Sequence, residues 1–307
     1  PEMEKTARKK VLGGVAISIA AIMWGLDGIV LTPRLYNLDV AFVVFMLHLI
    51  PFILMQFFLF REYTYFKNLS AQSWLALILV ALFGGAIGTL AMVKALFLVH
   101  FQKLTIVVLL QKLQPVFAIT LATFLLKEKL KPNFFIWAAI AIIAGYFLTF
   151  GFQLPTISRD PNMLYAAGFS LLAAFSFGSS TVFSKWALKE VRFETATFIR
   201  YGLTALILLP YILLTGRFSE LSRVTTLNWI LFVIIGLTTG SGAIFLFYFG
   251  LRHVKASVST ICELFFPLSA VIFDYLFNHV TLSLVQWISA IVMIFAIVIL
   301  SLQEKTD

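Results

Sequence analysis

Long runs of apolar residues alternate with short polar connections along almost the whole chain. A helix needs roughly 20 mostly apolar residues to cross the hydrocarbon core of a bilayer. Ten runs reach that length, and each predicts one membrane-spanning helix. Their approximate bounds are 10–32, 38–60, 73–99, 103–126, 133–154, 162–185, 194–215, 227–251, 256–277 and 281–302. The pattern therefore predicts an all-α polytopic membrane protein of ten transmembrane helices.

Composition excludes a water-soluble domain. Hydrophobic residues make up 61% of the 307 positions and charged residues only 12%, whereas soluble domains are about a quarter charged. The formal net charge of +9 lies in the short connections between runs and not on one basic face. We therefore predict a lipid bilayer, and no nucleic acid, as the surroundings of this chain.

The cationic residues also predict an orientation. Of the 23 Lys and Arg, 20 lie between or beside the apolar runs: fifteen on the side that holds both termini and five on the other. Lys and Arg are enriched in cytoplasmic loops. We expect both termini in the cytoplasm and an integral protein of a bacterial inner (plasma) membrane.

The two halves of the chain resemble each other at offsets of 150 to 155 residues. The matching positions are Trp24-Gly25 with Phe177-Gly178, Trp74 with Trp229, Gly85 with Gly240, Pro115 with Pro267, and Trp137 with Trp287. Each half, 1–155 and 156–307, holds five helices. Because five is odd, the second half would enter the membrane in the opposite orientation. Inverted repeats are typical of secondary transporters, whose substrate sites lie near the midplane.

The order of several short motifs resembles one known family. They are Trp24-Gly25 and its counterpart Phe177-Gly178, the proline-containing segment 110–118, the turn Lys127-Glu128-Lys129-Leu130, and Phe198-Ile199-Arg200-Tyr201. In this order they resemble the ten-helix EamA type of the drug/metabolite transporter superfamily over about residues 11–302. Lys127 stands where the family's Gly-Glu-x-Leu turn has glycine, and the matching turn at 277–280 lacks the acidic residue. The resemblance implies a central cavity lined mainly by helices 1–4 and 6–9.

Six ionisable residues lie inside the apolar runs: Asp27, Lys94, Lys112, Arg200, Glu263 and Asp274. Each costs roughly 2.5–3.5 kcal/mol at the centre of a membrane helix. Such a cost indicates ion-pair partners, water or a function. Their formal charges balance, which favours a zwitterionic or mixed polar substrate.

Lys112 and Glu263 lie near the midpoints of the fourth and ninth runs, and we predict that they bind substrate. Lys112 would hold a carboxylate or phosphate, whereas Glu263 would hold an amine or carry a proton. The alternative is a mutual ion pair that joins the two halves. Gln111 and Gln114, three residues apart, share a helix face and are predicted to line the cavity.

The remaining candidate residues are predicted to act as gates, as proton carriers, as hinges and as walls of the cavity. Asp27 and Lys94 lie at similar depths, so we predict that they form an ion pair or an outer gate, with substrate contact as the alternative. Arg200 is predicted to serve as an inner gate or a local structural contact. Glu263, Asp27 and His48 are the candidate proton carriers, in that order, with packing as the alternative for His48. Proline disrupts the hydrogen bonding of a helix interior, so Pro115 and Pro267 are candidate hinges. Trp24 and Phe177 are candidate aromatic walls for substrate.

These features favour a secondary transporter that moves a small polar or zwitterionic metabolite, such as an amino acid, by alternating access. Proton coupling or exchange would drive it. One alternative is a flippase for lipids or lipid-linked molecules on the same fold. A second is an intramembrane transferase, but the sequence has none of the familiar nucleophile, zinc or phosphate-loop motifs. We predict no enzymatic activity, no cofactor, no metal, and a monomer or homodimer.

Overall fold

The computed structural model describes residues 2–98, 107, 110–154 and 160–303. Within them the chain forms nine apolar helices long enough to span a membrane and one shorter apolar helix. We number them α1 (Met3–Leu35), α2 (Val40–Phe66), α3 (Ala71–Ala95), α4 (Gln114–Leu125), α5 (Pro132–Phe150), α6 (Pro161–Leu188), α7 (Phe193–Leu214), α8 (Thr226–Leu251), α9 (Ala256–Asn278) and α10 (Leu284–Gln303).

The all-α prediction is confirmed, and the ten predicted spans agree with these ten helices. Two bounds differ. α1 begins at Met3, seven residues before the predicted start, because the polar segment 3–10 continues the helix beyond the apolar run. Most of the first half of the predicted span 103–126 lies outside the described residues, so α4 is the shorter, second part of that span.

Four of the helices are irregular in their middle or final turns. α1 passes into a π-helical turn at Asp27–Leu31, and α3 and α8 contain π-helical turns at Ala81–Ile87 and Gly236–Gly240. α9 consists of two segments, Ala256–Cys262 and Phe265–Asn278, separated by residues 263–264. Such interruptions leave backbone groups without their usual helical partners, and in membranes they occur where the backbone is buried in protein or lines a cavity.

Both predicted hinge prolines directly follow a turn. Pro267 cannot donate to the carbonyl of Glu263, and instead the N–H of Phe266 donates to that carbonyl (2.9 Å). The N–H of Leu264 likewise donates to Ile261 three residues earlier (3.1 Å), as the N–H of Leu113 does to Leu110 before Pro115 (3.1 Å). A tight turn with hydrogen bonds between residues three apart therefore lies within three residues of each proline, at similar places in the two halves.

The helices pair across the two halves of the sequence. α1 packs against α8 and α9, α6 packs against α3 and α4, α2 against α7, and α5 against α10. A buried apolar core runs between them, including Ile17, Leu77, Phe198 and Tyr248. Large apolar side chains such as Phe57, Phe124 and Ile291 are exposed on the outside of the bundle, where a lipid-facing surface requires them.

Glycines permit two of the closest helix contacts. A Cβ at Gly178 of α6 would lie 2.7 Å from the carbonyl oxygen of Gln114 and 3.1 Å from the amide nitrogen of Ala118, both in α4. A Cβ at Gly25 of α1 would meet Ser269 and lie 3.0 Å from the amide nitrogen of Ala270, both in α9. Small residues let membrane helices approach closely. Gly25 of the first motif therefore places α1 directly against α9, and Gly178 of the second motif places α6 directly against α4.

The end of the bundle at which α1 begins and α10 ends, called here the terminal face, carries several polar contacts between helix ends. The hydroxyl of Thr195 donates to the carboxylate of Glu62 (2.5 Å), and Ser73 donates to Glu190 (3.1 Å). The ammonium of Lys185 donates to the carbonyl of Leu251 (2.9 Å) at the end of α8. These contacts fix the ends of α2, α3, α6, α7 and α8 relative to one another.

The opposite face has its own polar contacts. Asp39 forms an ion pair with Arg217 (3.1 Å) in the α7–α8 connection, and the amides of Asn37 and Asn228 exchange two hydrogen bonds of 3.0 Å. The backbone N–H of Asp39, followed by the guanidinium of Arg223, lowers the pKa of Glu220 below its usual value. The α1–α2 and α7–α8 connections are thus held together.

The turn Lys127-Glu128 between α4 and α5 caps α9. The carboxylate of Glu128 accepts hydrogen bonds from the backbone N–H groups of Ala256 (2.6 Å) and Ser257 (3.1 Å), and from the Ser257 hydroxyl (2.5 Å). A carboxylate at a helix N-terminus satisfies free N–H donors and complements the helix dipole. Lys127 adopts a left-handed backbone (φ 53°), as does His279 (φ 57°) in the matching turn of the second half.

Replacing Glu128 with alanine should lower the free energy of unfolding by about 1–2 kcal/mol, since a lost helix cap costs amounts of this order. Thermal unfolding of the purified protein measures the change. Glu4→Ala is the control, because Glu4 is an exposed carboxylate at the same face. Equal stability of Glu128→Ala and Glu4→Ala would contradict the capping role.

Candidate functional site

Polar side chains of α6, α7, α8 and α9 meet in the middle of the bundle. We call this group the central polar cluster. It comprises Thr181 and Ser184 of α6, Arg200 of α7, Tyr248 of α8, and Ser259 and Glu263 of α9. Buried hydrogen-bonded groups of this kind are expensive to place in a membrane and usually mark functional sites.

Glu263 lies in the turn that interrupts α9. The hydroxyl of Thr181 donates to both carboxylate oxygens (3.1 and 3.3 Å), and the hydroxyl of Ser259 donates to one of them (3.3 Å). Because these donors come from α6 and from α9 itself, the carboxylate is held at the junction of the two helices. It therefore offers a hydrogen-bond acceptor where the α9 backbone changes direction.

Arg200 occupies the other end of the cluster. Its Nη1 donates to the Tyr248 hydroxyl (2.9 Å), which in turn shares a hydrogen bond with Ser184 (2.9 Å). A Cβ at Gly84 would lie 3.1 Å from Nη2, so the guanidinium lies against the α3 backbone where that helix has glycine. The side chain of Arg200 therefore points into the bundle, and its role as an inner gate or a local structural contact stays a prediction.

Several buried polar atoms around the cluster have no hydrogen-bond partner within the described part of the chain. They are Nε of Arg200 and the hydroxyls of Ser176, Ser179, Thr204, Thr239 and Thr260. Buried polar atoms without partners cost roughly 1–3 kcal/mol each. A polar ligand or water that enters the bundle would recover part of that free energy.

Lys112 does not join Glu263. It is buried (8% exposed) in the turn before Pro115, but its Nζ lies 4.0 Å from the position of a Cβ at Gly145 in α5. The side chain is therefore directed toward α5 and away from α6 and α7. Among the described residues it has neither an ion-pair nor a hydrogen-bond partner, so the structure does not contain the alternative Lys112–Glu263 pair.

Replacing Lys112 with methionine should raise the free energy of unfolding by about 1–2 kcal/mol, because a buried cation without a partner is destabilising and methionine has a similar shape. Thermal unfolding with a transport assay on the same preparations tests this. Lys94→Met is the control, since Lys94 is exposed. Loss of transport in Lys112→Met at unchanged stability would instead support the predicted contact of Lys112 with substrate.

The predicted Asp27–Lys94 pair is not formed. Asp27 lies in the π-helical turn of α1 and accepts a hydrogen bond from Thr32 (2.7 Å), whereas Lys94 is exposed on α3. His48 is bonded through Nδ1 to the carbonyl of Val44 (2.7 Å), and its ring lies 5.0 Å from that of Tyr201. His48 therefore borders the α7 side of the central polar cluster.

The aromatic and amide candidates have separate surroundings. Trp24 meets Phe247 of α8 edge-on at 5.4 Å, and Phe177 lies against Gly88 of α3. The side-chain amide of Gln111 donates to the backbone carbonyl of Ser170 (3.0 Å) in α6. This bond occupies one of its two amide hydrogens. The Gln114 side chain has no hydrogen-bond partner among the described residues and is half-buried.

Sequence reasoning missed Thr181, Ser184, Tyr248 and Ser259, because hydroxyl groups are common in membrane helices and carry no charge. One signal was present. α6 buries six hydroxyl side chains within 15 residues, at positions 170, 176, 179, 180, 181 and 184. A concentration of this kind on one span indicates a polar interior.

With this geometry established, comparison with known proteins identifies the family. The model of the EamA-like transporter family matches residues 11–151 and, a second time, residues 164–302. The chain belongs to the EamA-like transporter family. The resemblance read from the sequence motifs is therefore confirmed.

Three curated relatives are similar to this EamA-like transporter. The riboflavin transporter ImpX of Fusobacterium nucleatum subsp. nucleatum (strain ATCC 23726 / VPI 4351) is 53% identical over 95% of this chain and 98% of its own length. The uncharacterized transporter YxxF of Bacillus subtilis (strain 168) is 29% identical over 66% of this chain and 62% of its own. An uncharacterized transporter of Archaeoglobus fulgidus is 26% identical over 64% of this chain and 66% of its own length.

A crystal structure of another protein shares the fold. It is 14% identical, covers 95% of this chain and 98% of that chain, and gives a TM-score of 0.70. This likeness concerns the fold alone, whereas the family match and the 53% identical relative show a membrane transporter and not an enzyme. In the described part of the chain no three His, Cys, Asp or Glu side chains converge on a metal-sized site.

Proposed function

We propose that this EamA-like transporter carries riboflavin across the membrane. The observation that supports the substrate is the 53% identity to a riboflavin transporter over 95% of this chain and 98% of the relative. Similarity of that extent includes every helix of the central polar cluster. The proposed substrate is therefore a neutral, polar heterocycle and not the amino acid that the sequence favoured.

The chemistry of riboflavin suits the central polar cluster. Its planar ring system has amide-like donors and acceptors along one edge, and its side chain carries hydroxyl groups without charge. Arg200 offers donors, Glu263 an acceptor, and Ser176 and Thr260 buried hydroxyls without partners. Pockets for such ligands combine apolar walls with a few well-placed polar groups. The equal number of positive and negative embedded residues matches a substrate of zero net charge.

The proposed mechanism is alternating access between two inverted repeats. Three observations support it: the family model matches the chain twice, α3 and α8 share a π-helical turn, and corresponding tight turns precede Pro115 and Pro267. Repeats related in this way place the substrate at their interface and rock about it. Pro115 and Pro267 would act as hinges, with α1 and α6 rigidly seated on the segments beyond them.

Proton coupling through Glu263 completes the proposal, with Asp27 and His48 as secondary carriers. Glu263 has two hydroxyl donors and forms no ion pair within the described residues, so it can bind a proton without breaking a salt bridge. The excess of Lys and Arg beside the terminal face supports a cytoplasmic location for that face, and the bacterial relative supports a plasma membrane.

Proteoliposomes test substrate and mechanism together. Riboflavin fluorescence inside the vesicles would be followed with and without a proton gradient, for the native chain, for Glu263→Gln, and for the control Glu4→Gln at an exposed carboxylate. We expect riboflavin uptake that Glu263→Gln reduces at least tenfold and Glu4→Gln leaves unchanged. Uptake of labelled amino acids without riboflavin would overturn the substrate, and lipid scrambling without either would favour a flippase.

A further inference from the structure

A second polar site lies at the terminal face, outside the central polar cluster. It is a cavity of about 360 Å³ between the start of α3, the end of α4 and the end of α6. Its lining includes Gln72, Leu126, Lys127, Trp186, Lys189 and Glu190. None of these residues takes part in the proposed transport mechanism.

The charges in this cavity favour an anion. The ammonium groups of Lys127 and Lys189 have no hydrogen-bond or ion-pair partner within the part of the chain described. The carboxylate of Glu190, in contrast, already accepts hydrogen bonds from the hydroxyls of Ser70 (3.2 Å) and Ser73 (3.1 Å). The first turn of α3 also points its positive dipole end at the cavity. Two free cations therefore face one carboxylate that is bound elsewhere.

The position of the cavity identifies the source of the anion. The cavity lies beside Trp186, within one helical turn of the ends of α4 and α6. Leu125 (38% exposed) and Phe124 (79% exposed) continue its apolar side onto the outside of the bundle. Tryptophan near helix ends is typical of the bilayer interface. A ligand here would place a charged group between the lysines and an apolar chain along α4.

The geometry points to a binding site for the phosphate headgroup of an anionic phospholipid, formed by Lys127 and Lys189. Clusters of basic residues at the interface between membrane helices recognise such headgroups. The lipid would join the ends of α3, α4 and α6 and thereby stabilise the terminal face.

The test uses the whole protein in nanodiscs of phosphatidylcholine with increasing phosphatidylglycerol. Bound lipid would be counted by native mass spectrometry and stability followed by thermal unfolding. The test variant is Lys127→Gln/Lys189→Gln, and the control is Lys129→Gln/Lys131→Gln, which removes the same charge from the adjacent turn. At about 1 kcal/mol per lysine, the test variant should bind phosphatidylglycerol about thirtyfold more weakly, while the control keeps most of the native affinity.

Three outcomes would overturn the site. The first is equal loss of lipid binding in both double variants, which would indicate general electrostatic attraction. The second is unchanged binding in Lys127→Gln/Lys189→Gln. The third is stabilisation of the detergent-solubilised protein by inorganic phosphate or glycerol 3-phosphate to the same extent as by phosphatidylglycerol, which would make the ligand a soluble anion. A stabilisation specific to the lipid and lost only in the test variant supports it.

Discussion

Replacing Gly178 with alanine is expected to destabilise the protein by about 1–3 kcal/mol, the usual cost of overpacking a tight contact, and to abolish transport. The new Cβ would lie 2.7 Å from the carbonyl oxygen of Gln114. That oxygen belongs to the backbone of α4 beside Pro115, so it can move only if the whole segment moves. α6 would be displaced from the segment on which the proposed hinge depends.

The chain offers a control on the same helix. A Cβ at Gly168 of α6 would have no neighbour within 4 Å. Gly168→Ala should therefore leave transport intact and raise stability slightly, since alanine favours a helix over glycine by up to about 1 kcal/mol. Thermal unfolding and riboflavin uptake of the two variants decide the point. Similar values for Gly178→Ala and Gly168→Ala would show that α6 does not depend on this contact.

The second large effect is expected at the charges of the central polar cluster. Arg200→Met should remove transport and destabilise the fold by roughly 3 kcal/mol, because it leaves the Tyr248 hydroxyl and the carboxylate of Glu263 without a nearby cation. Glu263→Gln keeps the hydrogen-bonding shape toward Thr181 and should cost less stability. It should still reduce transport, because the amide cannot carry a proton.

A double-mutant cycle separates the electrostatic part. If the two charges compensate each other in the bundle, Arg200→Met/Glu263→Gln should be less destabilised than the sum of the single variants by about 1–3 kcal/mol. The measurement is the free energy of unfolding of all four proteins in one detergent. Strict additivity would mean that the two residues act independently. Transport should remain absent in the double variant, since restoring the charge balance does not restore the groups proposed to bind substrate.

The lengths of the apolar runs and the order of a few motifs were sufficient to predict the fold. Ten apolar runs gave ten helices, because only a helix satisfies its backbone in lipid, and Trp24-Gly25 with Phe177-Gly178 identified the family. The interruption at Glu263 was also foreseeable from Pro267, which cannot supply the backbone donor that the helix requires.

The direction of side chains could not be predicted in the same way. Lys112 and Glu263 lie in corresponding turns, so depth alone placed them together. The turns point Lys112 toward Gly145 and Glu263 toward Thr181. Likewise Asp27 and Lys94 share a depth but not a partner. Position along a helix fixes how deep a charge lies, whereas its neighbours follow from helix rotation and packing, which the sequence of one chain does not specify.

The buried hydroxyls of α6 also bear on how the protein is made. α6 has the lowest mean hydropathy of the nine long spans in the described residues, because residues such as Ser176, Ser180 and Ser184 replace apolar ones. Polar groups lower the free energy gained when a nascent helix leaves the translocation channel for lipid. α6 follows α3 and α4 in synthesis and packs against both. Its entry into the bilayer should therefore depend on helices that have already been inserted, and the residues proposed to form the transport site would then set an order of assembly.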